Sequence, residues 1–86
     1  MAINFPNWSR SYDHTRQAVR FWGYDRAMEW SFFITVDALR LLHSNLDLED
    51  DFLRAFDINR QRIHEVAARV YARGRRGSYN LVAADI

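Results

Sequence analysis

Ala27-Met28-Glu29-Trp30-Ser31-Phe32-Phe33-Ile34-Thr35 sets Met28, Trp30, Phe32 and Ile34 on one side of the chain and Glu29, Ser31, Phe33 and Thr35 on the other. A period of two, rich in aromatic and β-branched residues, reads as a half-buried antiparallel strand. Just upstream, Gly23-Tyr24-Asp25-Arg26 reads as a turn. Before it, residues 17–23 alternate again, with Val19 and Phe21 opposed to Ala18, Arg20 and Trp22. Ser11-Tyr12-Asp13-His14-Thr15 is polar and turn-prone, and Ile3-Asn4-Phe5 is a short apolar run stopped by Pro6. Because proline cannot donate to a ladder, that first strand is either at an edge or broken there.

Downstream of the central strand the period changes. Thr35 is placed to cap a short helix over residues 36–42, its hydroxyl accepting from an otherwise unpaired amide of the first turn, and Ser44-Asn45 ends it. Asp47 is the expected N-cap of a longer second helix, with Glu49, Asp50 and Asp51 beside its positive dipole end and Gly74 as its stop. At 100° per residue, Phe52, Ile63, Ala67 and Val70 fall within about 40° of Phe56, a narrow stripe that needs a sheet to cover it. After Gly74, residues 78–83 alternate and read as a closing strand. The expected fold is α+β: a small antiparallel sheet of three N-terminal strands plus a C-terminal strand, packed against two helices in the order βββααβ.

Composition narrows the function classes. At 86 residues the chain is read as one domain, 1–86. With 49% hydrophobic, 15% aromatic and 27% charged residues and a net charge of +1, it is not a disordered polyelectrolyte. Zero cysteines exclude a disulfide scaffold, thiolate zinc sites and thiol catalysis, and fit a cytoplasmic setting. No apolar run resembles a signal peptide, Arg10 and Asp13 interrupting the N-terminal region. The most apolar window, 32–42, contains Asp37 and Arg40 and falls short of the roughly 20 residues a membrane span requires, so no membrane partner is expected. All 12 basic residues are Arg, which excludes Schiff-base chemistry at a lysine. High-GC coding and selection for phosphate or carboxylate binding both produce that bias.

Several phrases in order carry a family resemblance: Ile3-Asn4-Phe5-Pro6, Val19-Arg20-Phe21-Trp22-Gly23, Ser31-Phe32-Phe33-Ile34, Phe56-Asp57-Ile58-Asn59-Arg60, and Gly77-Ser78-Tyr79-Asn80-Leu81 with Ala84-Asp85-Ile86 after it. Together they span nearly the whole chain. The sequence resembles the small bacterial family called domain of unknown function 1488 (DUF1488). The resemblance implies a compact α+β fold and a bacterial source, and no activity or site residues.

Three features of the residues themselves bear on function. Arg62, Arg69 and Arg73 share a sector of the long helix free of acids, and Arg75 and Arg76 extend it. Residues 52–76 hold seven Arg against Asp57 and Glu65, a local +5, whereas residues 37–51 hold five acids against Arg40, a local −4. Such a stripe can follow a phosphate backbone, although the helix dipole alone favours the same distribution. Arg60, by contrast, falls inside the apolar arc. It is either a buried charge paired with Asp57, Glu29 or Asp85, or an anion site between helix and sheet flanked by Asn59 and His64. The third feature is a set of aromatics on polar segments or off the core stripe, Trp8, Trp22, Tyr24 and Phe33, of the type enriched at protein interfaces, with Trp22, Tyr24 and Phe33 the candidates for a sheet-face interface.

Catalytic constellations are absent from the sequence. His14, His43 and His64 have no metal-ligand spacing, the acids 49–51 lack a calcium-loop pattern, and Gly23, Gly74 and Gly77 read as turn glycines rather than a phosphate loop. The expectation is a non-enzymatic binding protein without cofactor or metal, acting through a protein interface or self-association as a dimer. Nucleic-acid binding by the Arg stripe is the alternative.

Overall fold

A computed structural model describes residues 3–74 and 78–86. Strands β1 (Ser11–Asp13), β2 (Ala18–Asp25) and β3 (Met28–Thr35) are followed by helices α1 (Val36–Leu42), α2 (Glu49–Ile58) and α3 (Arg60–Ala72), then β4 (Tyr79–Leu81) and a 3-10 turn, Ala83–Asp85. The sheet runs β1-β2-β3-β4. The fold is α+β with the expected order of strands and helices, and it differs from expectation in three details.

First, β4 pairs with β3 in parallel, Phe32 opposite Tyr79 and Ile34 opposite Leu81, so the sheet is mixed. The chain between them crosses over through the helices, as a parallel pairing requires. Second, the long helix expected up to Gly74 is two helices meeting at Asn59, whose φ −104° and ψ 17° leave the helical region. The Asn59 side-chain amide donates to the Ala55 carbonyl at 2.8 Å, a local bond that suits a helix end. Third, the edge strand is Ser11–Asp13. Residues 3–5 instead form an arm joined to the sheet by one bridge, Asn4 with Tyr24, with both backbone bonds at 2.8 Å.

Turns and caps follow local chemistry. The β2–β3 turn is Arg26-Ala27, with Arg26 at φ 56°. Gly23 therefore lies inside β2, where a Cβ would come within 2.7 Å of Phe5, 2.8 Å of Phe32 and 3.0 Å of Ile3. Thr35 caps α1 as its sequence predicts, accepting from the Ala38 amide at 3.2 Å. In α2 the capping carboxylate is that of Asp51 rather than Asp47: it accepts from the Leu48 and Asp47 amides at 3.0 and 3.2 Å. Those amides hold the Asp51 carboxyl below its ordinary pKa. Gly74, at φ 77°, ends α3 as expected.

One core cluster holds Val19 and Phe21 of β2, Phe32 and Ile34 of β3, and the buried residues of all three helices, Phe56, Ile63, Ala67 and Val70 among them. Ala18 and Phe33, on the opposite side of the sheet, are buried but lie outside that cluster. All three helices therefore cover one face of the sheet, and among the described residues no helix covers the other. None of these helices is long and apolar enough to cross a membrane.

Candidate functional site

Arg60 opens α3 with its side chain turned into the protein and is 7% exposed. Its guanidinium lies between two rings, 4.4 Å from the centroid of Trp8 and 4.8 Å from that of Phe56. Nη2 donates to Asp57 Oδ1 at 2.9 Å and to the Trp8 carbonyl at 3.1 Å. Of the three carboxylates proposed from sequence as its partner, Asp57 is the one, three residues upstream across the Asn59 junction.

Asp57 is already engaged. Arg10 forks onto it, Nε to Oδ1 at 2.9 Å and Nη2 to Oδ2 at 2.8 Å. The Arg10 bonds, then its charge, then Arg60 hold the Asp57 carboxyl below its ordinary pKa against the cost of burial. The cluster is thus two guanidinium cations around one carboxylate, with a net charge of +1. Arg60 Nε and Nη1 are buried with no hydrogen-bond partner among the described residues. Donors of that kind are costly to bury and call for an explanation.

Beside them runs a groove of about 540 Å³ between the N-terminal arm and α3, with Ile3, Phe5, Trp8, Arg60, His64 and Ala68 in its wall and the Gln61 and Glu65 side chains also lining it. His64 stacks on Phe5, with centroids 4.4 Å apart and planes at 14°. Burial, reinforced by the nearby Arg60 charge, brings its pKa down to about 4, so the ring is neutral at pH 7. Its Nε2 is buried and unpartnered. The groove therefore has apolar walls, an under-satisfied cation and a neutral imidazole. The groove lies between arm and helix, whereas the anion site considered from sequence lay between helix and sheet, and Asn59 serves the helix junction and does not line the groove.

On the helix-free face of the sheet, Arg20 pairs across the strands with Phe33, and Trp22 with Ser31. Phe33 is 4% exposed, roofed by the guanidinium of Arg16 at 4.1 Å and approached by that of Arg20 at 5.8 Å. Arg20 also stands 5.1 Å from the Trp22 ring and donates to Ser31 Oγ at 2.9 Å. Of the four aromatics singled out from sequence, Trp22, Phe33 and Tyr24 lie on this face by the alternation of their strands. Tyr24, at the hairpin end, is half-buried and donates its hydroxyl to Glu29. The strongly exposed aromatic is Trp8, at 70%, in the other site.

Of the Arg stripe read from sequence, three residues lie within the described part of the chain. Arg62 and Arg69 are exposed on α3 and make no ion pair among the described residues. Arg73 is paired, Nη1 with Asp85 Oδ1 at 3.0 Å. Arg75, Arg76 and Gly77 lie outside the described residues. Among the described residues no cluster of His and carboxylates has the makings of a metal site.

Arg10, Trp8 and Arg16 carry much of this geometry; sequence reasoning gave Arg10 and Arg16 no role and singled out Trp8 only as an aromatic on a polar segment. Their partners are 47, 52 and 62 positions away in the chain, for the Arg10–Asp57, Trp8–Arg60 and Arg16–Ser78 contacts. Trp8 has the one legible signal, a large aromatic flanked by Asn7 and Ser9.

A family model described as a protein of unknown function, DUF1488, matches residues 3–82. Among solved structures the chain is similar to a protein of unknown function from the same family in Shewanella loihica PV-4, with 19% identity and a TM-score of 0.81 over 92% of this chain and 90% of that one. At that identity the likeness concerns the fold alone. No curated protein matches the sequence.

Proposed function

Because the chain belongs to the DUF1488 family, whose function is unknown, its role has to be read from its own surfaces, and we propose that it acts by binding, without catalysis, through a protein interface on the helix-free face of the sheet. The observation that supports this most directly is Phe33, a large apolar residue outside the core cluster whose cover is two guanidinium groups. Trp and Arg side by side on a sheet face are the residue types that dominate binding energy at interfaces.

The charge pattern fits a second copy of the chain as occupant. Arg16 and Arg20 sit over the middle of the face, Asp13 pairs opposite Ala18 at one end, and Glu29 opposite Tyr24 at the other. A two-fold axis placed between these cations and one acidic end, rather than through the cations themselves, brings each copy's cations toward the other's acids. Sedimentation across a wide concentration range tests this reading. The expected result is a monomer–dimer equilibrium that Trp22→Ser weakens by roughly tenfold or more while the circular dichroism spectrum is unchanged. A wild-type chain that stays monomeric at millimolar concentration, or a dimer indifferent to Trp22→Ser, overturns it. A reducing cytoplasm accords with the cysteine-free composition and is part of the same proposal.

A second reading, nucleic-acid binding, draws support from Arg62 and Arg69, whose charges are unspent on ion pairs among the described residues. Anisotropy titrations of labelled DNA and RNA across salt are expected to show log K falling with log salt, with a slope shallower by about 2 in the Arg62→Ala/Arg69→Ala variant. Absence of binding at low salt removes the reading.

A further inference from the structure

The groove between the N-terminal arm and α3 is independent of the sheet face, and we infer that it is a binding site for a small monocarboxylate with an apolar tail, its carboxylate accepting from Arg60 and its tail lying along Ile3, Phe5 and Ala68. The argument begins with an imbalance. Arg60 is more than nine-tenths buried, yet Nε and Nη1 have no partner among the described residues, and the one carboxylate it touches is already shared with Arg10. A buried cation in that state is stabilised by any anion that reaches it, since each charge-assisted bond replaces a donor left without water.

The charge of the ligand follows from the surroundings. Two guanidinium groups around Asp57 leave one positive charge there, and the exposed Glu65 in the same lining already balances it overall, so the groove tolerates no more than a single negative charge on the ligand. A monoanion fits and a phosphate dianion does not. The ligand's size follows from the space: about 540 Å³ lies within the range of small-molecule sites, with apolar walls and few polar groups. Access depends on Trp8. Its indole rests on the guanidinium while 70% exposed, so rotating it away uncovers Arg60 at little cost in buried surface. Stacking of Phe5 and His64 leaves a flat wall for an alkyl or aryl tail.

Hexanoate, hexanamide and inorganic phosphate are the probes, followed by amide chemical shifts of the full chain. Hexanoate is expected to shift residues 3–8 and 60–68 saturably, with hexanamide weaker by roughly tenfold or more and phosphate without effect there. Arg60→Gln is expected to weaken hexanoate by a similar factor. Should that variant fail to fold, Ala68→Trp keeps Arg60 in place, fills the tail's space and is expected to abolish binding. Equal affinity for hexanoate and hexanamide overturns the proposal, as do competition by phosphate and undiminished binding by Ala68→Trp. A peptide whose free C-terminus binds where hexanoate does not also overturns it, because the ligand would then be a protein tail.

Discussion

His64 occupies a position a histidine can hold only while uncharged. Its ring is stacked on Phe5, lies 5.9 Å from Phe21, and has Arg60 as its nearest influential charge. Burial and that cation both oppose protonation, and its pKa falls from 6.5 to about 4. The unfolded chain therefore takes up a proton near pH 6.5 that the folded chain refuses until about pH 4. Stability attributable to the neutral ring is complete above 6.5 and is lost as the pH falls between those values. Because the ring is only half-buried, the expected loss between about pH 7 and about pH 5 is discounted to about 1 kcal/mol. Urea midpoints at the two pH values measure it. His64→Phe keeps the stack and cannot be protonated, so its midpoint is expected to stay level across that window. A wild-type midpoint that does not fall on acidification contradicts the assignment of a neutral, buried His64.

At the scale of elements, β2 and β3 are tied to the N-terminal arm through one glycine. Gly23 lies inside a strand, where glycine is ordinarily a weakness, and its missing side chain is the space in which Phe5 and Ile3 lie against Phe32. Gly23→Ala is expected to push the arm outward at a cost of about 1–3 kcal/mol. Faster amide exchange at Asn4, whose amide donates to Tyr24, is the local sign to look for, alongside the lowered melting temperature. Reading Gly23 as a turn residue is the natural error of a linear reading, since its spatial neighbours come from residues 3–5 and 32. The elements that were legible carried their periodicity in many residues: β2 and β3 by alternation, and the helices by the stripe Phe52, Phe56, Ile63, Ala67 and Val70, all buried. One short element was not. Ser11–Asp13 is polar and three residues long, and its strand character comes from pairing with Ala18, Val19 and Arg20. The direction of β4 depends on the whole helical crossover, and Asn59 is compatible with either a continuous helix or a junction. Arg60 was legible as an anomaly because a charge in an apolar arc violates the pattern; the second cation on Asp57 carried no local trace.

For the molecule as a whole, the question is what holds residues 3–10 to a small core. A single bridge joins the arm to the sheet, so the remaining attachment is side-chain chemistry: the ring of Phe5 against Phe21, Phe32 and His64, and the polar knot of Arg10, Asp57, Arg60 and the Trp8 carbonyl. Asp57 is the centre of that knot, and it sits on α2 next to the junction with α3, so it joins three parts of the chain at once. Asp57→Asn keeps the shape and removes the charge, leaving Arg10 and Arg60 without their counter-ion. With a carboxylate that is partly solvent-exposed, the expected cost is about 1–2 kcal/mol, or a fall in Tm of about 5–10 °C for a domain of this size. The sign with pH follows from its lowered pKa: the stabilisation is present above the unfolded-state value of 3.8 and is lost as the pH falls through the lower folded-state value. Wild type and Asp57→Asn are therefore expected to differ at neutral pH and to converge in acid. The arm should register the change before the core does, with amide exchange accelerated over residues 3–10 and unaltered at Val19, Ile34 and Val70. Equal melting temperatures at neutral pH, or uniform loss of protection across arm and core, would show that the knot does not hold the arm and that the aromatic layer alone does.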